Sequence, residues 1–305
     1  MSELRQQVES VLDEVEVFFG EATDAEAAVY VYYPMREYLP DGVDLVATVT
    51  GPTCAYARTL QASVPMRDHG PGPFSLAEAH VPDPCFWTPE APYLYEVSIE
   101  AVHNEATIAV EKRTLAIRRL GVDGRSFYLD AKRWVPRAVS LAEPSTATLK
   151  SFHNQSLAIV VADPDDKLCR EATQRGVLLV ASITADDEIE LRKRISQLER
   201  FGAVGLVVVS CSKNFSCEGE SVGRNVVVCH EMCDNDPHAV PDWADAVLYR
   251  VGDPQQAASF AASCERPTIA WRSIEGIQDV AEARAACDSL QRELAPHGDF
   301  AAYFV

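Results

Sequence analysis

The chain has 305 residues, 47% of them hydrophobic and 24% charged, which suits a globular protein large enough to bury two separate cores. Its 46 acidic against 27 basic side chains leave a formal charge of −19 at pH 7, which repels nucleic-acid phosphate and anionic lipid head groups and argues against both as partners. The opening "MSELRQQVES" has no cationic or apolar leader character, no uncharged apolar run is long enough for a membrane span, and the nine cysteines are dispersed, so a cytoplasmic protein with reduced thiols is expected.

From the N-terminus, Leu4, Val8, Val11, Leu12, Val15 and Phe19 fall near helical spacing, and Gly20 is a natural stop; a helix is predicted over residues 3–19. Its apolar stripe needs a docking surface on the rest of the chain or on a second copy, which makes a homodimer through this helix one expectation. Short β-rich segments follow: "AAVYVYY", "VDLVATV", "ARTLQASV", "YLYEVSIEAV" and "ATIAVEKRTLAIRRL", separated by turn clusters such as "PDG" and "DHGPGP". This cadence predicts an antiparallel β-sandwich. Pro84, just ahead of "CFWTPEAPYLYEVSIEAV", and Pro89 and Pro92 within it exclude a helix and hold the chain extended before a strictly alternating strand with Tyr95, Val97, Ile99 and Ala101 on one face.

After Asp123 the rhythm changes to apolar strands alternating with helical segments, the pattern of parallel strands buried on both faces. Eight such runs can be counted, over residues 133–140, 156–162, 177–183, 204–210, 225–232, 244–251, 268–274 and 300–305. Eight parallel strands predict a closed barrel, shortened relative to the roughly 250 residues usual for the (β/α)8 fold. An open doubly wound sheet is the alternative, although no glycine-rich phosphate loop follows the early strands.

Pro84, Trp87, Pro89, Pro92, Leu94, Tyr95 and Val97 form the pattern P-x-x-W-x-P-x-x-P-x-L-Y-x-V, which resembles the hallmark of the immunoglobulin-like domain of glycoside hydrolase family 2, the β-galactosidase and β-glucuronidase family. "LAIRRLGVDGRSFYLDAKRWVPRAVS" resembles that family's passage from sandwich to barrel, with Arg118, Asp123, Gly124, Phe127, Leu129, Lys132 and Arg137 fitting. "DDKLCREATQRGVLLV" is similar to the family's helix leading into the third barrel strand. The resemblance covers roughly residues 25–210. It implies an immunoglobulin-like sandwich (22–121) and a reduced (β/α)8 barrel (122–305), with that barrel starting near Phe127 and packing on the sandwich; the helix read from its spacing stands ahead of them as an N-terminal element (1–21).

The family's retaining chemistry needs two carboxyl groups about 5–5.5 Å apart, carried as glutamates at the ends of barrel strands four and seven. Here Asn214 is followed by Phe215, which has no proton to donate, and Arg272 stands at or beside the nucleophile's place. The second strand continues into "VVADPD" and the third carries Ala181 and Ser182, so four rim positions depart from the family together. Three readings follow. The first is a catalytically inactive pseudo-glycosidase binding a saccharide or a protein, with Asn214, Glu231, Asp234, Trp271, Arg272 and Glu275 as candidate ligand-binding residues. The second is an active hydrolase with relocated carboxylates, Glu231 and Glu275. The third is a metal-dependent barrel enzyme using the region of Cys229, His230, Cys233 and His238 with Cys211 and Cys217; the cysteine spacings do not form a zinc knuckle, and neither a metal nor another cofactor is expected.

Overall fold

The computed structural model describes residues 2–71, 75–141, 144, 146–210, 222–233, 240–274, 277 and 279–305. It divides into two units, one running to Trp87 and including Ala91–Ile117, the other comprising Thr88–Glu90 and Arg118–Val305.

The first unit begins with helix α1 (Ser2–Asp13) and continues through strands β1 (Glu16–Ala22), β2 (Glu26–Tyr32), β3 (Val43–Thr53), β4 (Ala62–Pro65), β5 (Arg67–Asp68), β6 (Leu76–Pro82), β7 (Leu94–His103) and β8 (Ala106–Leu115). They form two antiparallel sheets of four strands, ordered β1-β2-β6-β5 and β4-β3-β7-β8. One core joins them: Val29 and Val31 of β2, Ala77, Ala79 and Val81 of β6, Leu45, Ala47 and Val49 of β3, and Val97 and Ile99 of β7. Burying each of the branched side chains contributes about 1.5–3 kcal/mol.

The predicted helix over 3–19 is too long. It ends at Asp13, and "EVFFGEA" becomes β1, paired antiparallel with β2. Val15, Val17, Phe18 and Phe19 are β-branched or aromatic and alternate more naturally than they wind, so a strand partner outweighs the helical spacing. The stripe on α1 is nevertheless covered: Val8, Val11 and Leu12 are buried, and Val8 and Leu12 join the core between the sheets. The alternation in β7 is as read, with Tyr95, Val97, Ile99 and Ala101 all buried. The proline-rich approach to β7 is anchored at both ends. The Trp87 N–H donates to the Ile117 carbonyl at 2.6 Å, and the Tyr95 hydroxyl accepts from the Cys85 N–H at 2.8 Å. Strand β6 was not foreseen. Two of its three inward positions are alanines, Ala77 and Ala79, whose alternation with Glu78 and His80 carries little hydrophobic contrast.

In the second unit, β9 (Leu120–Asp123), β10 (Ser126–Leu129) and β11 (Lys132–Trp134) form a small antiparallel sheet. The β10–β11 hairpin turns on Asp130 and Ala131, both left-handed at φ 49° and 58°. Then come β12 (Arg137–Ser140), α2 (Thr146–Asn154), β13 (Ala158–Ala162), α3 (Asp166–Arg175), β14 (Leu179–Thr184), α4 (Glu188–Glu199), β15 (Val204–Ser210), β16 (Val227–Cys233), β17 (Ala246–Arg250), α5 (Pro254–Ser263), β18 (Thr268–Trp271), α6 (Val280–Leu294) and β19 (Ala302–Phe304). Strands β12 to β19 close into a barrel of eight parallel strands, with β19 returning to pair with β12, which settles against the open sheet. All eight predicted runs supply one barrel strand each, but the barrel does not start near Phe127. Phe127 and residues 132–134 are in the small sheet, and Pro136 separates them from the first barrel strand.

The small sheet leads from a buried arginine. Arg118 is 5% exposed, and its guanidinium donates to the carbonyls of Gly202, Val204 and Asn225, at or just before the starts of β15 and β16. Burial holds its pKa down, to about 10, so it remains a cation at neutral pH. At the end of α3, Gly176 sits at φ 67°, and a Cβ there would collide with the Pro89 carbonyl oxygen, so only glycine fits.

Candidate active site at the barrel rim

In a barrel of parallel strands, paired residues share a face, so one inward or outward assignment fixes the alternation all round. The Tyr249 ring stacks on Phe260 of α5 at 4.6 Å, which makes Tyr249 outward and its neighbour Arg250 inward. Register carries this across: Arg250 pairs with Trp271, Leu248 with Glu231, and Cys229 with Val208, two residues before Ser210. On the far side, Trp271 pairs with Phe304, and Ser182 and Thr184 pair with Val208 and Ser210. The inward positions nearest the C-terminal rim thus include Thr184, Ser210, Glu231, Arg250, Trp271 and Phe304. This is the face where barrel enzymes build their sites.

Glu231 is the only carboxylate on any of the eight barrel strands. The Ser210 hydroxyl donates to one of its oxygens, and the Arg250 Nε–H donates to the other at 2.5 Å. The same guanidinium lies over the Trp271 ring at 4.8 Å. One carboxylate, one guanidinium, one indole and one hydroxyl, from four consecutive strands, therefore form a single connected group. The Trp271 Nε1–H is buried and has no hydrogen-bond partner among the described residues.

Four other acids near the rim have structural work among the described residues. Asp165, Asp187, Asp253 and Asp279 each cap a helix by accepting from backbone N–H groups of its first turn, at 2.7–3.2 Å. Arg272 is directed away from the interior group. It makes a bidentate pair with Glu293 of α6, at 2.6 and 2.9 Å, and that guanidinium holds the Glu293 carboxyl below its ordinary range. The interior place at the end of the seventh barrel strand belongs to Trp271. Among the predicted site residues, Glu231 and Trp271 are thus brought together through Arg250, and Arg272 is not with them; Asn214, Asp234 and Glu275 lie outside the described residues.

The cysteine and histidine group is divided by the same alternation. Cys229 is inward and fully buried, which pushes its thiol pKa far up, whereas His230 is on the opposite face with its ring 5.5 Å from Trp243. Cys211, Cys217 and His238, and the side chain of Cys233, lie outside the described residues. No three His, Cys, Asp or Glu side chains converge on a metal position among the described residues.

Arg250 and Ser210 were missed in the sequence. The signal was present as register: "CHEM", "VLYR" and "IAWR" place a carboxylate, a guanidinium and an indole near the ends of three successive strands, but only pairing shows that the three share the inward face.

No protein-family model and no curated protein matches the sequence. Solved structures do. The chain is similar to a β-glucuronidase of Bifidobacterium dentium in complex with coumarin-3-O-glucuronide (14% identity, TM-score 0.66, 95% of this chain and 59% of that one). It is likewise similar to a family 2 glycosyl hydrolase of Bacteroides cellulosilyticus (14%, 0.64, 95% and 43%) and to a protein described as a putative β-galactosidase of Bacteroides fragilis (12%, 0.64, 95% and 54%). At these identities the likeness establishes the fold: antiparallel sheets and a closed eight-stranded barrel built as in the family 2 β-glucuronidases and β-galactosidases. The chain spans about half the length of the structures it matches.

Proposed function

We propose that this protein is a glycosidase relative, an immunoglobulin-like sandwich with a reduced (β/α)8 barrel, that binds a saccharide at the barrel mouth without hydrolysing it by the family's two-carboxylate mechanism. One observation carries the reading: the inward positions ending the fourth and seventh barrel strands are Ser210 and Trp271, and the single strand carboxylate, Glu231, is on the fifth. A serine hydroxyl is too weak an acid to protonate a departing glycosidic oxygen at neutral pH, and an indole has no lone pair with which to attack an anomeric carbon. Trp271, Glu231 and Ser210 instead supply a stacking face, an acceptor and a hydroxyl, which is the equipment of a sugar-binding pocket. We place it in the cytoplasm, consistent with free cysteines at all six described positions.

A second reading is favoured by the inward position of Glu231, in which this carboxylate acts with Glu275 as a relocated pair. Turnover of aryl β-galactoside, β-glucuronide and β-mannoside, measured beside calorimetric titration with neutral and charged disaccharides, separates the two. Binding without turnover supports the first reading, and turnover that disappears in Glu231→Gln supports the second.

A further inference from the structure

We propose that the Arg250 guanidinium fills a cation site that belongs to the ligand, and that the natural ligand is a saccharide bearing a primary ammonium group. The inference rests on the saccharide-binding reading and specifies the ligand class for the same pocket.

The two halves of the Glu231–Arg250 pair differ in how firmly they are held. Glu231 is 12% exposed, starts from an inward position on β16 and accepts from Ser210, so its carboxylate is fixed. Arg250 is 58% exposed at the end of β17, on a long side chain that can rotate into water at little cost. Exposed pairs of this kind shift an equilibrium by only about fivefold or less. Around the guanidinium stand two groups that attract any cation, a partly buried carboxylate and the face of a tryptophan at 4.8 Å. When Arg250 moves aside, both remain in place with no charge between them.

This decides among ligand classes. A neutral sugar entering here displaces Arg250 from Glu231 and supplies no charge in its place, so the modest energy of that pair is lost with no return. An anionic sugar has only the exposed Arg250 to pair with, and does so beside the Glu231 carboxylate, which opposes its charge. An ammonium group replaces what it displaces: it donates to Glu231, lies against the Trp271 face and restores neutrality. The chain's formal charge of −19 raises the local concentration of cations in the same sense. Arg250 is then a built-in competitor, and removing it should strengthen binding.

The test is isothermal titration with β-1,4-linked glucosamine disaccharide and with its N-acetylated counterpart, in which the amine is neutralised and the ring is kept. The wild-type protein is expected to bind the amino disaccharide at least about tenfold more tightly than the acetylated one. Arg250→Ala and Arg250→Gln are expected to bind the amino disaccharide about three- to tenfold more tightly than wild type, and Glu231→Gln to lose this preference. Thermal melts of the Arg250 variants, whose side chain is exposed, verify that the barrel is folded. Equal binding of the two disaccharides, or weaker binding in both Arg250 variants, overturns the inference while leaving saccharide binding intact. Absence of binding to either disaccharide and to neutral galacto- and gluco-disaccharides, in wild type and Arg250 variants alike, overturns both.

Discussion

Replacing Arg118 with methionine keeps the length of the side chain and removes all of its hydrogen bonds. Three backbone carbonyls, of Gly202, Val204 and Asn225, lose a charged donor at the end of the barrel opposite the candidate site. Each buried acceptor left without its partner costs about 1–3 kcal/mol. Part of that is offset, because methionine does not carry the charge whose burial depresses the arginine pKa to about 10. A net loss of about 3–5 kcal/mol is expected. For a unit of this size that lowers the melting temperature by about 6–20 °C. Calorimetry of the full chain measures it, with the barrel transition followed by its tryptophan signal. Arg118→Lys should recover only a fraction, since one ammonium cannot reach three carbonyls in a fork. A fall of less than about 2 °C in Arg118→Met would show that the arginine is not what joins the starts of β15 and β16.

In the first unit, Leu12→Ala removes a buried contact between α1 and the core, and is expected to cost about 2–5 kcal/mol in a denaturant melt. The Arg36 guanidinium donates twice to Asp68, at 2.6 Å, and holds that carboxyl below its ordinary value. A depressed folded pKa means that this stabilisation is complete above the unfolded carboxylate pKa and is lost as pH falls through the folded one; Asp68→Asn should therefore flatten the acid limb of the stability profile, and an unchanged limb would contradict the pair. Among the thiols, burial raises the pKa of Cys169 to about 12 and of Cys287 to about 11, so both should react with iodoacetamide at pH 8 more slowly than the partly exposed Cys264, as read by peptide mass spectrometry.

The barrel strands were legible because each is a continuous run such as "VGLVVVS", buried on both faces and bounded by turns or helices. The sandwich was legible where the alternation had strong contrast, as in β7, and was lost where the inward residues were mostly alanines, as in β6. The end of α1 was misjudged because Val15 and Phe19 fit both periods, and only the pairing of residues 16–19 with 29–32 decides between them. For the site, one residue of frame mattered most. Arg272 and Trp271 are adjacent in sequence and opposite in the barrel, and no local pattern says which of two neighbours points inward. The helix-capping role of Asp165, Asp187, Asp253 and Asp279 was also present in the sequence, each just ahead of a helical segment, but in so acidic a chain they read as undifferentiated loop charge.

The fold is that of the family 2 glycosidases, and the central proposal is that it does not carry out the family's two-carboxylate hydrolysis. Its most direct test is the turnover of activated aryl β-galactoside, β-glucuronide and β-mannoside by the purified full chain and by Glu231→Gln. The account predicts no turnover above background for either protein, since the ends of the fourth and seventh barrel strands present Ser210 and Trp271. Turnover by the wild-type protein that is lost in Glu231→Gln would contradict it and make Glu231 a catalytic carboxylate.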